Sequence, residues 1–429
     1  MDRIRVLYLA PLRARADQMT LLSFVDEEIG ALADRGVEPF LITLPMDGQP
    51  LPGGVHGIPV LSKKRIGQYP GLFSFVKKHW ALVRRAPIRK GEDLRDAVHA
   101  LRMEQFISSV ARREGIDLLH SHFGWPGGFG GVLAGLETST PVVCTMHGMD
   151  VLLDPSIGYG QRQSPFFEGA LRVSLGSADH TIYVSNFIYR QAVPLGAVSE
   201  RSSVIDRGVN LQRFRPPAET ARLREQLGIS TPHMILTVGR LIPRKGIDDI
   251  LRALALLERR DFTLVVCGEG EGLSELRNLS RQAGLENHVR FSGWVGRQRI
   301  ADFFSACDLF VLGSRLEALG NVLLEAMACG KPVVCTDSGG PPEVVAHQRT
   351  GFVVPVRDSW AMSRRIGELL ASSDLRENFG IQARRLVESR FSYERMIRET
   401  FSVYESVLRR RSSRGRPGRE LAVSPAKEG

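Results

Sequence analysis

Val238-Gly239-Arg240-Leu241-Ile242-Pro243-Arg244-Lys245-Gly246 is the stretch from which the rest of the chain can be read. An apolar run, Met234–Val238, ends in a glycine, presents Arg240 and then Lys245, and enters a helical pattern over Ile247–Arg259. A short run rich in Val, Ile and Leu, apolar on both faces, is a strand covered on both sides, as in a parallel sheet. Outward from it the same rhythm recurs. Downstream come Phe262–Cys267, Val289–Ser292, Asp308–Leu312 and Lys331–Thr336. Upstream are Ile4–Ala10, Pro39–Leu44, Ile116–Phe123, Pro141–Met146 and His180–Ser185. Helical patterns lie between them at Leu21–Arg35, Gly272–Ala283 and Asn321–Cys329. Strands alternating with helices make right-handed βαβ units and doubly wound sheets.

The first series ends near Val204–Asp206, and the loop Arg207–Pro217 separates it from the second. The expectation is an α/β chain of two Rossmann-like domains, residues 1–212 and 213–390, with a basic helical insert at about 63–113. A segment over 391–410, with a helix at Tyr393–Leu408, packs back on the first domain, and the tail 411–429 is disordered. Such sheets bind ligands at their C-terminal strand ends, and two of them facing one another leave a cleft.

Composition sets the outer limits. The chain has 429 residues, 43% hydrophobic and 24% charged, as in ordinary globular proteins, which excludes a disordered chain, a collagen-like fibre and a coiled-coil rod. No run approaches the ~18–20 apolar residues that span a bilayer, and no secretory signal opens the sequence. Five cysteines, Cys144, Cys267, Cys307, Cys329 and Cys335, sit in or beside apolar runs and form no CxxC pair. They read as buried free thiols of a reducing compartment, so a cytoplasmic protein is expected. The net charge of +10 admits nucleic acid, membrane or small anions as partners. Much of the excess lies in residues 62–113 and in the tail from Arg409.

Two cations at a strand's C-terminal end, with glycine permitting close approach, suit a diphosphate; Arg240 and Lys245 alone fit a solvated basic loop equally well. The second piece is Glu317-Ala318-Leu319-Gly320-Asn321-Val322-Leu323-Leu324-Glu325-Ala326. Gly320 and Asn321 mark a helix start, whose free N–H groups can hold phosphate. Glu325 then lies where a carboxylate can accept from two ribose hydroxyls. A solvated helix face is its plainer reading, although Leu323, Leu324, Ala326 and Met327 are apolar neighbours. Glu317 is also well placed simply as an acid near a helix N-terminus. The third piece is Cys144-Thr145-Met146-His147-Gly148-Met149-Asp150, in which His147 ends a strand at the sheet edge. In His120-Ser121-His122 the two histidines share a strand face. That spacing is compatible with a metal, but neither a third ligand cluster nor a DxD motif accompanies it, so no metal is expected and cleft-lining or core histidines are the reading.

Taken together, these residues resemble the retaining glycosyltransferases of family 4, which have the GT-B fold. The matching pieces are VGRLIPRKGID, VVCGEGEGLSEL, VRFSGWV, ACDLFVLGS, EALGNVLLEAMACGKPVV and SGGPPEVV with TGFVVP, covering essentially the whole second domain. The first domain matches more loosely, through LLHSHFGWPGG and TMHGMDV. That pair is similar to the subgroup that builds bacterial exopolysaccharides of the colanic acid and amylovoran type.

The resemblance implies that Arg240 and Lys245 neutralise the donor diphosphate, that Glu317 contacts the donor sugar and that Glu325 holds the ribose. It further implies that His147 lies near the sugar's hydroxymethyl and the reacting phosphate. The backbone at Gly320, Asn321 and Val322 would meet the phosphates, and Gly293 and Val295 would line the base pocket. The first domain would bind the acceptor, with His122 and Asp150 as lining residues. Where many family members have a Gly-Gly loop after the first strand, this chain reads Ala10-Pro11-Leu12-Arg13-Ala14-Arg15, so Arg13 or Arg15 substitutes there, or the loop serves the acceptor. Asp206-Arg207-Gly208-Val209-Asn210 also departs from the common Pro-Asn-Gly-Val-Asp linker. No cofactor is implied, the substrate being a nucleotide sugar, UDP- rather than GDP-linked. The implied acceptor is a saccharide on a polyprenyl lipid, and the implied location is the inner face of the plasma membrane.

Rival classes fit less well. A nicotinamide dehydrogenase needs GxGxxG after a strand, and Gly268-Glu269-Gly270-Glu271-Gly272 brings its third glycine one position early. A nucleotide-sugar epimerase of the same architecture does not require the Glu317/Glu325 spacing. A nucleic-acid-binding protein would explain the charge, but no zinc-finger, RNA-recognition or helix-turn-helix signature is present. The basic segment with Phe73, Phe75, Trp80, Leu82 and Val83 suits an anionic membrane surface better, unless it packs its apolar face on its own domain.

Overall fold

Both expected sheets form. The computed structural model of the chain describes residues 3–10, 23–43, 55–59, 91–216 and 221–413. The first sheet contains Ile4–Leu9 (β1), Val37–Thr43 (β2), His56–Pro59 (β3), Leu118–His122 (β4), Val142–Met146 (β5), His180–Tyr183 (β6) and Ser202–Val204 (β7). Its order is β3-β2-β1-β4-β5-β6-β7. The second contains His233–Val238 (β8), Phe262–Cys267 (β9), Val289–Gly293 (β10), Leu309–Leu312 (β11), Val333–Thr336 (β12) and Gly351–Val354 (β13), in the order β10-β9-β8-β11-β12-β13. Every pairing in both is parallel. Strand order thus reverses beside β1 in one sheet and beside β8 in the other, the doubly wound arrangement.

The sequence pattern finds the edge strand β10 but misses β3 and β13. β3 reads His-Gly-Ile-Pro, whose glycine and proline interrupt any apolar run, and proline is tolerated on an edge strand. β13 is only four residues long. The central strands are legible because both their faces are buried. Along β11, Leu309 and Val311 enter one apolar cluster while Phe310 and Leu312 enter the other. Each such side chain contributes roughly 1.5–3 kcal/mol on burial.

The chain divides after Ile205 and again after Met396: residues 206–396 form one unit, and the C-terminal segment belongs with the first. The sequence reading places these borders at 212 and 390. They move because the linker is part of the second unit. Asp206 pairs with Arg390 at 2.9 Å, Val209 N–H donates to Phe391 at 2.9 Å, and Phe214 is buried in the core. The final helix runs over Tyr393–Ser413, longer than expected, so residues 411–413 are helical; residues beyond 413 lie outside the described residues. Within the first unit this helix buries Tyr404, whose hydroxyl lies 3.3 Å from that of Tyr8 on β1.

The described part of the basic insert is the helix Gly91–Arg113. It buries Ala97, Ala100, Leu101, Ile107, Val110 and Ala111 on one stripe, and its Ile107 and Met103 face Gly130 of the helix Phe129–Thr138. This portion therefore packs its apolar face on its own unit. Residues 63–90, with Phe73, Phe75, Trp80, Leu82 and Val83, lie outside the described residues. No helix among the described residues is long and apolar enough to cross a membrane. All five cysteines are buried free thiols, and burial pushes those of Cys144, Cys267 and Cys307 up to about 12.

Candidate active site

In the second unit the loops after β8 and β11 meet where the strand order reverses, the usual ligand position of such sheets. The β8 loop ends in a short turn, Pro243–Lys245, closed by Gly246 at φ +59°. A Cβ on Gly246 would strike the carbonyl of Gly313, so glycine lets the two loops touch. That contact sets Lys245 Nζ 2.6 Å from Glu317 Oε2, with both side chains about 15% exposed. The Ser314 hydroxyl donates to the same carboxylate oxygen at 3.2 Å, and Arg244 stands 3.6 Å away. Glu317 is itself anchored through its backbone, its N–H donating to Ser338 at 2.8 Å and its carbonyl accepting from Gly340 at 2.9 Å.

Burial works to raise the Glu317 carboxyl, but Lys245 and Arg244 outweigh it and hold the group below the usual carboxylate range. Burial lowers the Lys245 ammonium, and Glu317 only partly offsets this. The sequence reading gave Lys245 and Glu317 separate tasks; the structure joins them in one ion pair.

Arg240 is exposed just past β8, close enough for its charge to bear on Lys245. Gly320, at φ +94°, caps the helix Asn321–Ala328, whose first N–H groups have no intrahelical partner. Asn321 is exposed, Val322 partly so, and Glu325 is half-buried one turn into the helix. Gly293, at φ +67°, ends β10 and accepts from Gly268 N–H at 2.8 Å. Beside it Trp294 is exposed and donates its N–H to Glu269, and Val295 is partly buried. The parallel strands β8, β10 and β11 bring these predicted donor residues to one sheet edge.

In the first unit His147 follows β5 and is partly buried. Its Nε2 lies 3.0 Å from Nδ1 of His122, and the ring of Phe123 is centred 4.6 Å from its own. His122 is fully buried, so it stands behind His147 and is not the lining residue expected. Asp150 is corrected in the same way. It is 2% exposed, and its carboxylate accepts from the backbone N–H groups of Gly148 at 2.8 Å, Val151 at 3.1 Å, Gly124 at 3.2 Å and His147 at 3.4 Å. Burial raises this carboxyl more than its hydrogen bonds to backbone N–H groups lower it. Asp150 fastens the His147 loop to the turn after β4. Arg13 and Arg15 lie outside the described residues.

Sequence reasoning missed Arg244, Tyr8, Tyr404 and Glu28. Glu28, on the helix Ser23–Ala33, is 2% exposed and has a carboxylate oxygen within 4.8 Å of a ring nitrogen of both His120 and His122. The signal was present: Glu28 falls on the apolar stripe of Val25, Ile29 and Leu32. These three side chains have the donor types of a divalent metal site. Both ring nitrogens of His120 are already bonded, however, to the Tyr404 hydroxyl at 2.5 Å and the Thr145 hydroxyl at 2.8 Å. An ion would have to displace one of these bonds.

Two Rossmann-like parallel-sheet units, the second carrying a partly buried lysine–glutamate pair where its strand order reverses, make up the GT-B fold of glycosyltransferases. Solved structures agree on the fold. Sucrose-phosphate synthase from Thermosynechococcus elongatus matches with a TM-score of 0.75 at 21% identity, over 95% of this chain and all of that one. Anabaena HepE in complex with UDP matches with a TM-score of 0.73 at 20% identity, over 94% of this chain and all of the other. Residues 23–213 match the model of Glycosyltransferase Family 4, and residues 219–386 that of Glycosyl transferases group 1. D-inositol 3-phosphate glycosyltransferase of Streptomyces scabiei is 34% identical over 68% of each chain. The GDP-mannose-dependent alpha-(1-6)-phosphatidylinositol monomannoside mannosyltransferase of Mycolicibacterium smegmatis is 32% identical over 59% of this chain and 67% of its own. The chain belongs to glycosyltransferase family 4 and is a transferase enzyme.

Proposed function

We propose that this transferase moves a sugar, with retention and without a metal, from a nucleoside-diphosphate sugar, UDP- rather than GDP-linked, to a saccharide acceptor. The observation that carries the reading is the Lys245–Glu317 pair at 2.6 Å beside the Asn321–Ala328 helix start. When the anomeric C–O bond breaks, negative charge builds on the departing diphosphate. Arg240, Lys245 and the N–H groups at Gly320, Asn321 and Val322 are aimed to stabilise it. Glu325 holds the ribose, the backbone at Gly293 and Val295 meets the base, and His147 serves the donor sugar and reacting phosphate. The acceptor oxygen forms the new bond to the anomeric carbon on the face the diphosphate leaves, and a phosphate oxygen takes the hydroxyl proton. Glu317 is tied to Lys245 and serves as its counter-charge and as a donor-sugar contact, not as a nucleophile.

The acceptor we propose is a lipid-linked, polyprenyl-borne oligosaccharide of an exported polysaccharide, bound by the first unit at the cytoplasmic face of the plasma membrane. The motifs around His120–Gly128 and Thr145–Val151 support it, as does the basic stretch 62–113, suited to anionic lipid. The relatives' names favour a second reading, an acceptor that carries an inositol phosphate.

A thermal-shift panel with UDP, GDP, ADP, their sugar conjugates and NAD tests the donor reading. A ligand at 100 times its dissociation constant adds about 2.7 kcal/mol. Stabilisation by one nucleoside diphosphate and its sugars is expected, and a response to NAD alone overturns it. Transfer from the selected donor to a polyprenyl-linked saccharide or to inositol phosphate then separates the two acceptors.

A further inference from the structure

Behind His147 lies a buried row of polar rings that the reading above does not use. His122 is fully buried, its Nδ1 is 3.0 Å from His147 Nε2, and the two rings are nearly parallel at 21°. A hydrogen bond between two ring nitrogens holds one proton, so the tautomer of one histidine dictates that of the other. We propose that His122 is a positioning residue for His147, and that the Glu28 carboxylate sets the charge of the pair. The proposal rests on the reading of His147 as a residue at the donor.

The groups that face the pair come from several elements. Glu28 is the acid on the helix Ser23–Ala33, with an oxygen within 4.8 Å of a ring nitrogen of His120 and of His122. Tyr8 on β1 stacks near His122, its phenol raised by burial. His120 on β4 is bonded at both nitrogens, to Tyr404 of the final helix and to Thr145 of β5, and burial keeps it neutral. Tyr404 is likewise held protonated by burial. Asp150 spends its carboxylate on backbone N–H groups. With His120 and both phenols held neutral by burial, Glu28 is the acid of this cluster left to face His122. His147 is thereby turned for contact with an anionic phosphate oxygen.

The test follows the imidazole proton–nitrogen signals of the uniformly ¹⁵N-labelled full chain between pH 5 and 9, with His147 assigned by its loss in His147→Gln. Glu28→Gln is expected to lower the His147 midpoint by about one pH unit, within the range of neighbour effects. His122→Phe should change the His147 tautomer. His122→Asn, whose amide stands where Nδ1 did, should keep it and serves as the folded control. An unchanged His147 midpoint and tautomer in all three variants overturns the proposal. So does stoichiometric binding of Zn²⁺ alone that Glu28→Gln abolishes, which would make the cluster an ion site.

Kinetics with the donor selected by the thermal panel keep this inference apart from the reading beneath it. His122→Phe is expected to lower kcat about tenfold with KM little changed, the scale at which orienting partners of a functional histidine act, and His122→Asn to restore it. A slow His147→Gln beside a His122→Phe with wild-type rate and pH profile refutes the positioning role alone. Wild-type turnover in His147→Gln refutes the reading of His147, while the coupling seen in the spectra stands.

Discussion

The two sheets end in different chemistries. Past β8 and β11 the second unit sets charge against charge, Lys245 and Arg244 on Glu317, about 15% exposed and next to a helix start. Past β4 and β5 the first unit sets ring against ring, His122 on His147, over a buried bed of Glu28, His120, Tyr8 and Tyr404. The difference lies in how each is assembled. Lys245 and Glu317 sit in loops a few residues from their strands, so their positions follow from two local motifs. The first unit's partners come from far apart: His120 and Tyr404 are separated by 284 residues. Local reading reaches the first kind of site and not the second.

The largest expected effects lie in the charged edge. Lys245→Ala should cut sugar transfer by about 10²–10³-fold, as loss of a preorganised charge partner does. It should also cost about 2 kcal/mol of stability, because part-buried Glu317 is left with only Arg244 and Ser314 against it. Urea midpoints of Lys245→Ala, Glu317→Gln and the double variant Lys245→Met/Glu317→Leu check this. The double variant should regain most of the stability and none of the activity. If it regains neither, the pair is a packing element and the charged edge is not the seat of transfer.

In the first unit the comparable lesion strikes a carboxylate that serves backbone N–H groups. Asp150→Ala removes one acceptor from four backbone N–H groups. About 2–4 kcal/mol should be lost, read from the urea midpoint. Nucleotide affinity should hold better than turnover, because Asp150 bonds the His147 loop and none of the second unit's donor residues. Glu325→Ala is expected to do the reverse, raising KM for the nucleotide sugar several-fold with stability within about 0.5 kcal/mol of wild type, as for a partly exposed position.

Acid separates the edges further. Burial lowers His120 well below 6.5 and His180 to about 4, both in the first unit. The unfolded chain therefore binds protons that the folded one refuses, and stability falls as pH drops below 6.5, through about 4 for His180. In the second unit His233 is the histidine lowered by burial. Glu317 is depressed from 4.5, so its contribution is full above 4.5 and fades only as pH falls below that value. Hydrogen exchange at pH 7.5 and 5.5 should show the first unit loosening more than the second. The smallest effect is a null one. The five buried thiols should resist iodoacetamide in the native protein at pH 8, because burial keeps them protonated.

How much was legible follows the same division. The central strands and the donor edge of the second unit could be read because burial on both faces leaves continuous apolar runs, and because Gly246, Gly320 and the acids mark the loops. The edge strands β3 and β13 could not, being short and broken by Gly or Pro. The linker border fell seven residues from its expected place, 205 against 212, because Asp206 and Val209 find their partners near residue 390, a contact with no local signature. His122 and Asp150, expected to line the cleft, are buried instead, since residue type alone does not say which way a side chain faces. Glu28 was the one buried partner with a local sign, a carboxylate on an apolar helix stripe.

The path of the chain has a consequence for how this protein can be taken apart. Because residues 206–396 are bracketed by the two pieces of the other unit, they behave in the reading frame as an inserted cassette. A gene cut at codon 205 would encode a half lacking Tyr404 and the hydroxyl that meets Tyr8 and His120, so its core would open to water. Excising the cassette and rejoining Ile205 to Ile397 through a short linker keeps every strand of β1–β7 and the tyrosine together. The second half can be swapped between relatives as a contiguous gene fragment, whereas the first travels only as two.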